Sequence, residues 1–338
     1  MTLKERIEAF SNLKSAIENL TATERESLYE QAAQGNPWFT AANTARALNG
    51  IAQFLSKEVL TSWTGRYNLD TTSPKKIGVA MAGNIPLVGF HDLLCVLLAG
   101  HTLIAKLSSQ DTVLMNFVSG LLKKAEPRFS DKLFFEERLN NIDAVIATGS
   151  DNTSRYFEYY FRNIPHIIRK NRSSCAVIMG EEPSDELAKL GADVFSYFGL
   201  GCRNVSKIFV PEGYDVRLLL KPWEHYKEVV NHHKYANNYD YQKCLLLMNQ
   251  HLFYDSGYVL LVENDALVSP ISIVYYEYYK DLEELKNKLH SQEEKIQCIV
   301  SAKGWYPTSI PFGKAQLPDV WEYADRVDTM KFLSGLGG

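Results

Sequence analysis

The sequence predicts an α/β protein built on a parallel sheet. Between residues 77 and 180, short apolar runs of strand length alternate with helical stretches. That alternation belongs to parallel sheets covered by helices on both faces. The chain has 338 residues, of which 46% are hydrophobic and 22% charged. This suits two ordinary domains, or one large unit with a lobe, around sizeable cores. The longest apolar stretch, IPLVGFHDLLCVLLAG (85–100), carries His91 and Asp92. It reads as a buried helix, since a membrane span needs a longer uncharged run.

The elements follow in order. Residues 1–60 are rich in Glu, Lys, Leu and Ala, with apolar residues at helical spacing. Thr21 stands three residues before Glu24, the spacing of a capping box. A polar link, TGRYNLDTTSPKK, leads to a first buried strand at 77–83. A helix then runs to Gly100, a residue type that stops helices. HTLIAKL (101–107) is the second strand, and 109–125 a helix with Asp111 near its start. IDAVIATGS (142–150) is the third strand, DNTSRYFEYYF a helix, and CAVIMG (175–180) a fourth strand. A domain boundary falls near 172, after Arg169, Lys170 and Arg172. Beyond it, 184–199 is helical, 270–279 strand-like and 281–292 helical. The expected division is 1–172, 173–305 and a C-terminal segment, 306–338. That segment is expected to return to the first domain or to a partner subunit. The polar stretch 231–243, with His232 and His233, reads as a loop. Adjacent histidines point apart, so no metal site is expected there.

Parallel sheets bind ligands at the carboxyl ends of their strands. The informative loops are therefore MAGNIP (81–86), AKLSSQD (105–111) and ATGSDN (147–152). No GxGxxG follows the first strand, so a dinucleotide would bind by another scheme. The formal net charge is −4, which gives no reason to expect nucleic acid. The five cysteines, Cys95, Cys175, Cys202, Cys244 and Cys298, are odd in number and form no CxxC. Neither a disulfide framework nor a zinc site is expected. Thiols of this kind point to a reducing compartment, and the first twenty residues show no apolar signal core. A cytoplasmic protein without stable membrane insertion is expected. The 19 Tyr and 16 Phe suit cores, and they also permit an apolar substrate channel.

Cys202 is the candidate nucleophile. It sits in FGLGCRNVSKIFVP (198–211), between Gly201 and Arg203 and just before an apolar run. Gly199 and Gly201 allow a tight turn. A neighbouring cation favours the thiolate, which is the reactive form. A buried packing thiol is the alternative reading.

The ordered set GNIPL, LAGHTLIAKLSSQD, ATGS and G-x-x-C resembles the aldehyde dehydrogenase superfamily over roughly residues 75–320. It is most similar to the acyl-CoA reductase branch, the LuxC-type fatty acyl-CoA reductases. The resemblance implies a parallel-sheet cofactor domain and an α/β catalytic domain, with the active site between them. It makes Cys202 the nucleophile and Asn84 the side-chain donor to the oxyanion. Lys106 aligns with a lysine at the cofactor ribose, within a loop that also holds Ser108 and Ser109. Gly149 and Ser150 align with the turn at the cofactor pyrophosphate, where a following helix offers free N–H groups. Ser109 stands where the family often has a glutamate that would repel a 2′-phosphate, which implies NADPH, with NADH possible. Arg169 stands where hydrolytic members carry their general-base glutamate, which implies reduction of an activated acyl group. Glu263, in ENDALVSP, is the counterpart of the glutamate at the nicotinamide ribose, although it lies further from the proline. PFG (311–313) matches a turn beside the family active site. The implied substrate is an acyl-CoA. The implied partners are a second copy of the chain, paired through VDTMKFLSGLGG, and an acyl-supplying or aldehyde-accepting enzyme. Acyl transfer by Cys202 without hydride is the alternative activity, and an interaction-only relative a third reading.

Overall fold

Four helices open the chain: α1 (Leu3–Glu18), α2 (Ala22–Gly35), α3 (Ala41–Phe54) and α4 (Lys57–Thr64). Their starts are set locally. Thr2 with Glu5 and Thr21 with Glu24 form reciprocal capping boxes, and Thr40 and Ser56 cap the next two. Each such cap satisfies N–H groups that a helix start leaves unpaired, a contribution of about 1 kcal/mol. The computed structural model describes residues 1–69, 73–149 and 151–336. Two compact units emerge, Met1–Asn171 with Asp319–Gly338, and Arg172–Pro318.

The first unit continues with β1 (Lys76–Ala80), α5 (Phe90–Leu98), β2 (Thr102–Lys106), α6 (Thr112–Ala125) and β3 (Leu133–Phe135). β4 (Ala144–Thr148), α7 (Asp151–Phe161) and β5 (His166–Arg169) complete its sheet. The strand order is β3-β2-β1-β4-β5, with every pair parallel. α5 buries eight of its nine residues, which explains its nearly continuous apolar sequence. The edge strands β3 and β5 carry no legible signal. Leu-Phe-Phe and His-Ile-Ile-Arg are too short to show a period.

The run read as a fourth strand opens a second sheet, beyond the boundary expected near 172. β6 (Ser173–Val177) is wholly buried and pairs with strands of the other unit. A continuously apolar strand looks alike in either sheet, because its pattern names no partner. α8 (Ser184–Phe195), β7 (Val205–Pro211) and α9 (His233–Met248) follow. Then come β8 (Tyr254–Asp255), β9 (Leu260–Glu263), β10 (Ile273–Tyr279), α10 (Leu282–Ser291), β11 (Ile296–Ser301) and β12 (Ile310–Pro311). The order is β12-β11-β6-β7-β10-β9-β8, parallel except for the β8–β9 pair.

One reading is corrected. Residues 231–243 are not a loop, because most of them lie in α9. This helix buries only Tyr235, Tyr239 and Leu246, a stripe too narrow to stand out in a polar sequence. Residues 319–338 pack within the first unit. α11 (Thr329–Ser334) buries Met330 and Leu333 completely in that unit's core. Return to the first domain is one of the two places expected for this segment.

Candidate active site

In the first unit, β1, β2 and β4 are neighbours, so their carboxyl ends form one edge. The chain crosses to β2 on one side of β1 and to β4 on the other, the switch point at which such sheets hold ligands. The loop after β1 carries Asn84, which is exposed. Met81 N–H donates to the Lys106 carbonyl at 3.0 Å, tying this loop to the end of β2. Gly83 is needed here. A Cβ on it would lie 2.6 Å from Ser108 Cβ and Oγ. Leu87 takes a left-handed φ of 59°, and its N–H donates to Asp111 Oδ2 at 2.6 Å. Asp111 is 2% exposed, and its Oδ1 has no hydrogen-bond partner among the described residues. Burial pushes this carboxyl up to about 7, against the Leu87 N–H. Asp111 makes no side-chain cap to α6; it holds the Asn84 loop in place.

Lys106 and Ser109 are exposed and Ser108 is half-buried, with Ser108 Oγ accepting from Gln110 N–H at 3.3 Å. Gly149 N–H donates to the Arg169 carbonyl at 3.2 Å. A Cβ at Gly149 would sit 2.9 Å from Thr153 Cβ, so only glycine lets α7 start this close. Ser150 lies outside the described residues. Arg169 is buried at 4% exposure. Its Nη1 contacts Asp92 Oδ2 at 2.6 Å and its Nη2 donates to Thr329 Oγ1 at 2.9 Å. Burial opposes the Arg169 charge, but the Asp92 carboxylate outweighs it and holds the guanidinium above its ordinary value.

In the second unit, Cys202 is exposed on a turn between α8 and β7. The approach is strained. Tyr197, Phe198 and Gly199 have φ of 51°, 57° and 79°, and the left-handed region costs about 1 kcal/mol for each of the two non-glycine residues. Asn204, 2% exposed, stabilises this path. Its Oδ1 accepts from Gly201 N–H at 2.8 Å. Its Nδ2 donates to the Ser196 and Asp193 carbonyls at 2.8 and 2.9 Å, which pairs the end of α8. Ser174, on β6, donates from Oγ to the Cys202 carbonyl at 3.0 Å and also receives Cys298 N–H at 3.2 Å. Arg203 Nη1 donates to the Ala315 carbonyl at 3.3 Å. The fully buried Asp193 accepts from Gly313 and Ala315 N–H at 2.7 and 3.0 Å. Burial pushes the Asp193 carboxyl up to about 7, with those two N–H groups pulling the other way. The PFG turn is thus wired to the Cys202 turn through Asp193, whose carboxylate takes Gly313 and Ala315 N–H and whose carbonyl takes Asn204 Nδ2.

Asn204 was not among the residues singled out by sequence. Its signal was an asparagine two positions after the cysteine, in a turn entering an apolar strand. Asn204→Ala removes an acceptor and several donors at once, leaving buried backbone groups unpaired at about 1–3 kcal/mol each. The expected result is a loss of ~3 kcal/mol in urea unfolding and a changed alkylation rate at Cys202. Unaltered stability and alkylation would remove Asn204 as the residue that fixes the turn.

Glu263 is not brought to this turn. It ends β9 level with Tyr276, which is level with Ile208 in the middle of β7. The Cys202 turn precedes Val205, the first residue of that strand. The segment that does approach is 269–272, which meets Phe198 and Gly199 around a cavity of about 30 Å³. The turn after Glu263 is held by Lys207, a fully buried lysine that donates to the Asn264 carbonyl and pairs with Glu277 at 2.6 Å. Burial pushes the Lys207 ammonium below its ordinary value despite Glu277.

His91, His101 and His232 are each held by neighbouring residues. His91 bonds the Val320 carbonyl at 2.7 Å amid Phe54, Trp63 and Tyr323. His101 accepts from Lys75 N–H through Nδ1 and reaches the Leu333 carbonyl through Nε2. His232 stacks on Phe198 with ring centres 4.5 Å apart. Among the described residues no group of three or more His, Cys, Asp or Glu is placed to hold a metal ion. Nor is any described helix long and apolar enough to cross a membrane.

Two units, one on a five-stranded parallel sheet and one on a seven-stranded, mainly parallel sheet, define the class of fold. It is the aldehyde dehydrogenase fold. An aldehyde dehydrogenase from Bacillus cereus, solved with NAD+, matches with a TM-score of 0.64 at 14% identity, over 89% of this chain and 72% of that one. A Mycobacterium tuberculosis aldehyde dehydrogenase, also with NAD+, gives 0.65 at 12%, over 89% and 73%. A Pseudomonas syringae enzyme solved with NAD+ and octanal gives 0.64 at 10%, over 89% and 72%. No protein-family model matches the chain, and no curated protein matches it by sequence.

Proposed function

We propose that this protein is an acyl-CoA reductase that forms an acyl thioester on Cys202 and releases an aldehyde. The observation that carries the reading is the Cys202 turn, an exposed thiol on a backbone locked by Asn204 and Ser174. Arg169 adds to it. The position where hydrolytic relatives carry a base holds a buried guanidinium committed to Asp92. Such a group cannot draw a proton from water.

The carboxyl edge of β1, β2 and β4 fits a nicotinamide dinucleotide. Lys106 offers a cation, Ser108 and Ser109 offer hydroxyls, and Gly149 leads to the N-terminus of α7. Without a carboxylate at 109, a 2′-phosphate is tolerated, so NADPH is the expected cofactor. Such a cofactor supplies, when bound, the hydride that the acyl group accepts. By the resemblance, Glu263 remains the candidate for the nicotinamide ribose.

On this chain the Cys202 thiolate attacks the thioester carbonyl, forming a carbon–sulfur bond. The backbone N–H of Cys202 and, by the resemblance, the Asn84 amide stabilise the oxyanion. The bond to CoA breaks, and CoA leaves with the electron pair. Once the acyl group on Cys202 is reduced, the thiohemiacetal collapses, the aldehyde departs and Cys202 is restored.

The test is NADPH oxidation, followed optically across acyl-CoA chain lengths with NADH alongside. Aldehyde release matching NADPH consumed is the expected result. An acyl adduct on Cys202 that passes to another acceptor with no NADPH consumed would replace reduction by acyl transfer.

A further inference from the structure

The second unit holds a cleft of about 580 Å³ that nothing above uses, lined by Lys189, Lys303, Lys314, His225, Glu186 and the 311–313 turn among others. It sits at the carboxyl ends of β11 and β12, the end at which parallel sheets bind ligands. Its volume is that of a small-molecule site. Three lysines and a histidine converge on it, against one acid. That acid, Glu186, is 5% exposed and already paired with Lys189 at 2.5 Å. Lys303 and Lys314 are exposed and pair with no carboxylate among the described residues. Two lysines without a carboxylate partner thus line one cavity.

Both are presented by fixed backbone. Lys303 holds a left-handed φ of 53° next to Gly304 at 70°, a strained turn of the sort found at ligand clamps. Lys314 lies between Gly313 and Ala315, whose N–H groups are both held by Asp193. Asp193 also gives its carbonyl to Asn204, and Ala315 gives its carbonyl to Arg203. The cleft therefore shares its frame with the Cys202 turn.

We propose that this cleft binds a phosphorylated small molecule carrying two or more negative charges. Converging ammonium groups suit the spread charge of a bisphosphate or pyrophosphate better than a single carboxylate. The phosphates have two possible sources, the nucleotide end of an acyl-CoA substrate or a separate phosphoanion. Only the first rests on the function proposed above.

The experiment titrates adenosine 3′,5′-bisphosphate and inorganic pyrophosphate by calorimetry into the wild-type chain, Lys303→Glu/Lys314→Glu, and the milder Lys303→Gln/Lys314→Gln. Binding tighter than about 1 mM, weakened about tenfold or more by either double variant, is expected. No binding of either probe, or equal binding by both variants and wild type, overturns the site. A second arm compares KM for an acyl-CoA with KM for the same acyl group on N-acetylcysteamine, which has no phosphate. A rise in the double variants for the acyl-CoA alone assigns the phosphates to the substrate. Phosphate binding with no change in either KM assigns them to a separate molecule, and the site stands. Adduct formation from the N-acetylcysteamine thioester reads Cys202 by itself. Its failure, with phosphate binding intact, would sink the proposed reaction and leave the anion site.

Discussion

Cys202→Ala is expected to abolish the acyl adduct that intact-mass measurement detects after incubation with an acyl-CoA, while Cys244→Ala leaves it unchanged. The five thiols are unequal. Cys95, Cys175 and Cys298 are buried, and burial pushes all three thiols up, that of Cys298 to about 11. A thiol of that kind holds little of the thiolate, the form that attacks. Cys202 and Cys244 are the exposed pair. Cys244 lies within α9, where backbone N–H groups are consumed by the helix and none is left for an oxyanion. Cys202 lies on a turn outside regular structure. Because it is exposed, the alanine variant should keep its stability within about 0.5 kcal/mol, and NADPH binding should persist. An adduct that survives in Cys202→Ala and disappears in Cys244→Ala would overturn the assignment.

Arg169→Met is expected to destabilise the first unit by about 3–5 kcal/mol, because it strands a buried carboxylate. Asp92 is 7% exposed, and its Oδ1 already lacks a partner. The loss corresponds to a fall in melting temperature on the order of 10 °C for a unit of this size. Asp92→Asn/Arg169→Met should recover much of the loss, since the uncompensated charge is then gone. Denaturant unfolding of the two single variants and the double variant gives the coupling between them. Below its melting temperature, Arg169→Met should still form the Cys202 adduct. A variant of normal stability that forms no adduct would make Arg169 part of the chemistry and not of the core.

The helical character of residues 1–60, three strands of the first sheet and the helices between them were legible because each carries a local signal. Thr21 and Glu24 formed the expected capping box, and the apolar run ending at Gly100 was a helix, though only from Phe90. The missed pieces were those without such a signal. β3 and β5 are too short, and α9 exposes most of its surface.

By itself the sequence determined the fold class, because hydrophobic spacing and helix caps are local properties that read the same in any context. It also located the loops that carry Cys202, Asn84, Lys106 and Gly149, since strand ends fix those positions along the chain. Tertiary structure alone decided which strands Ser173–Val177 pairs with, because a buried strand does not encode its neighbour. It alone turned Arg169 from one of a basic cluster into half of a buried ion pair, its partner being 77 positions away. And it alone gave Asn204 its task, since the carbonyls at the end of α8 come within reach only once β7 is packed.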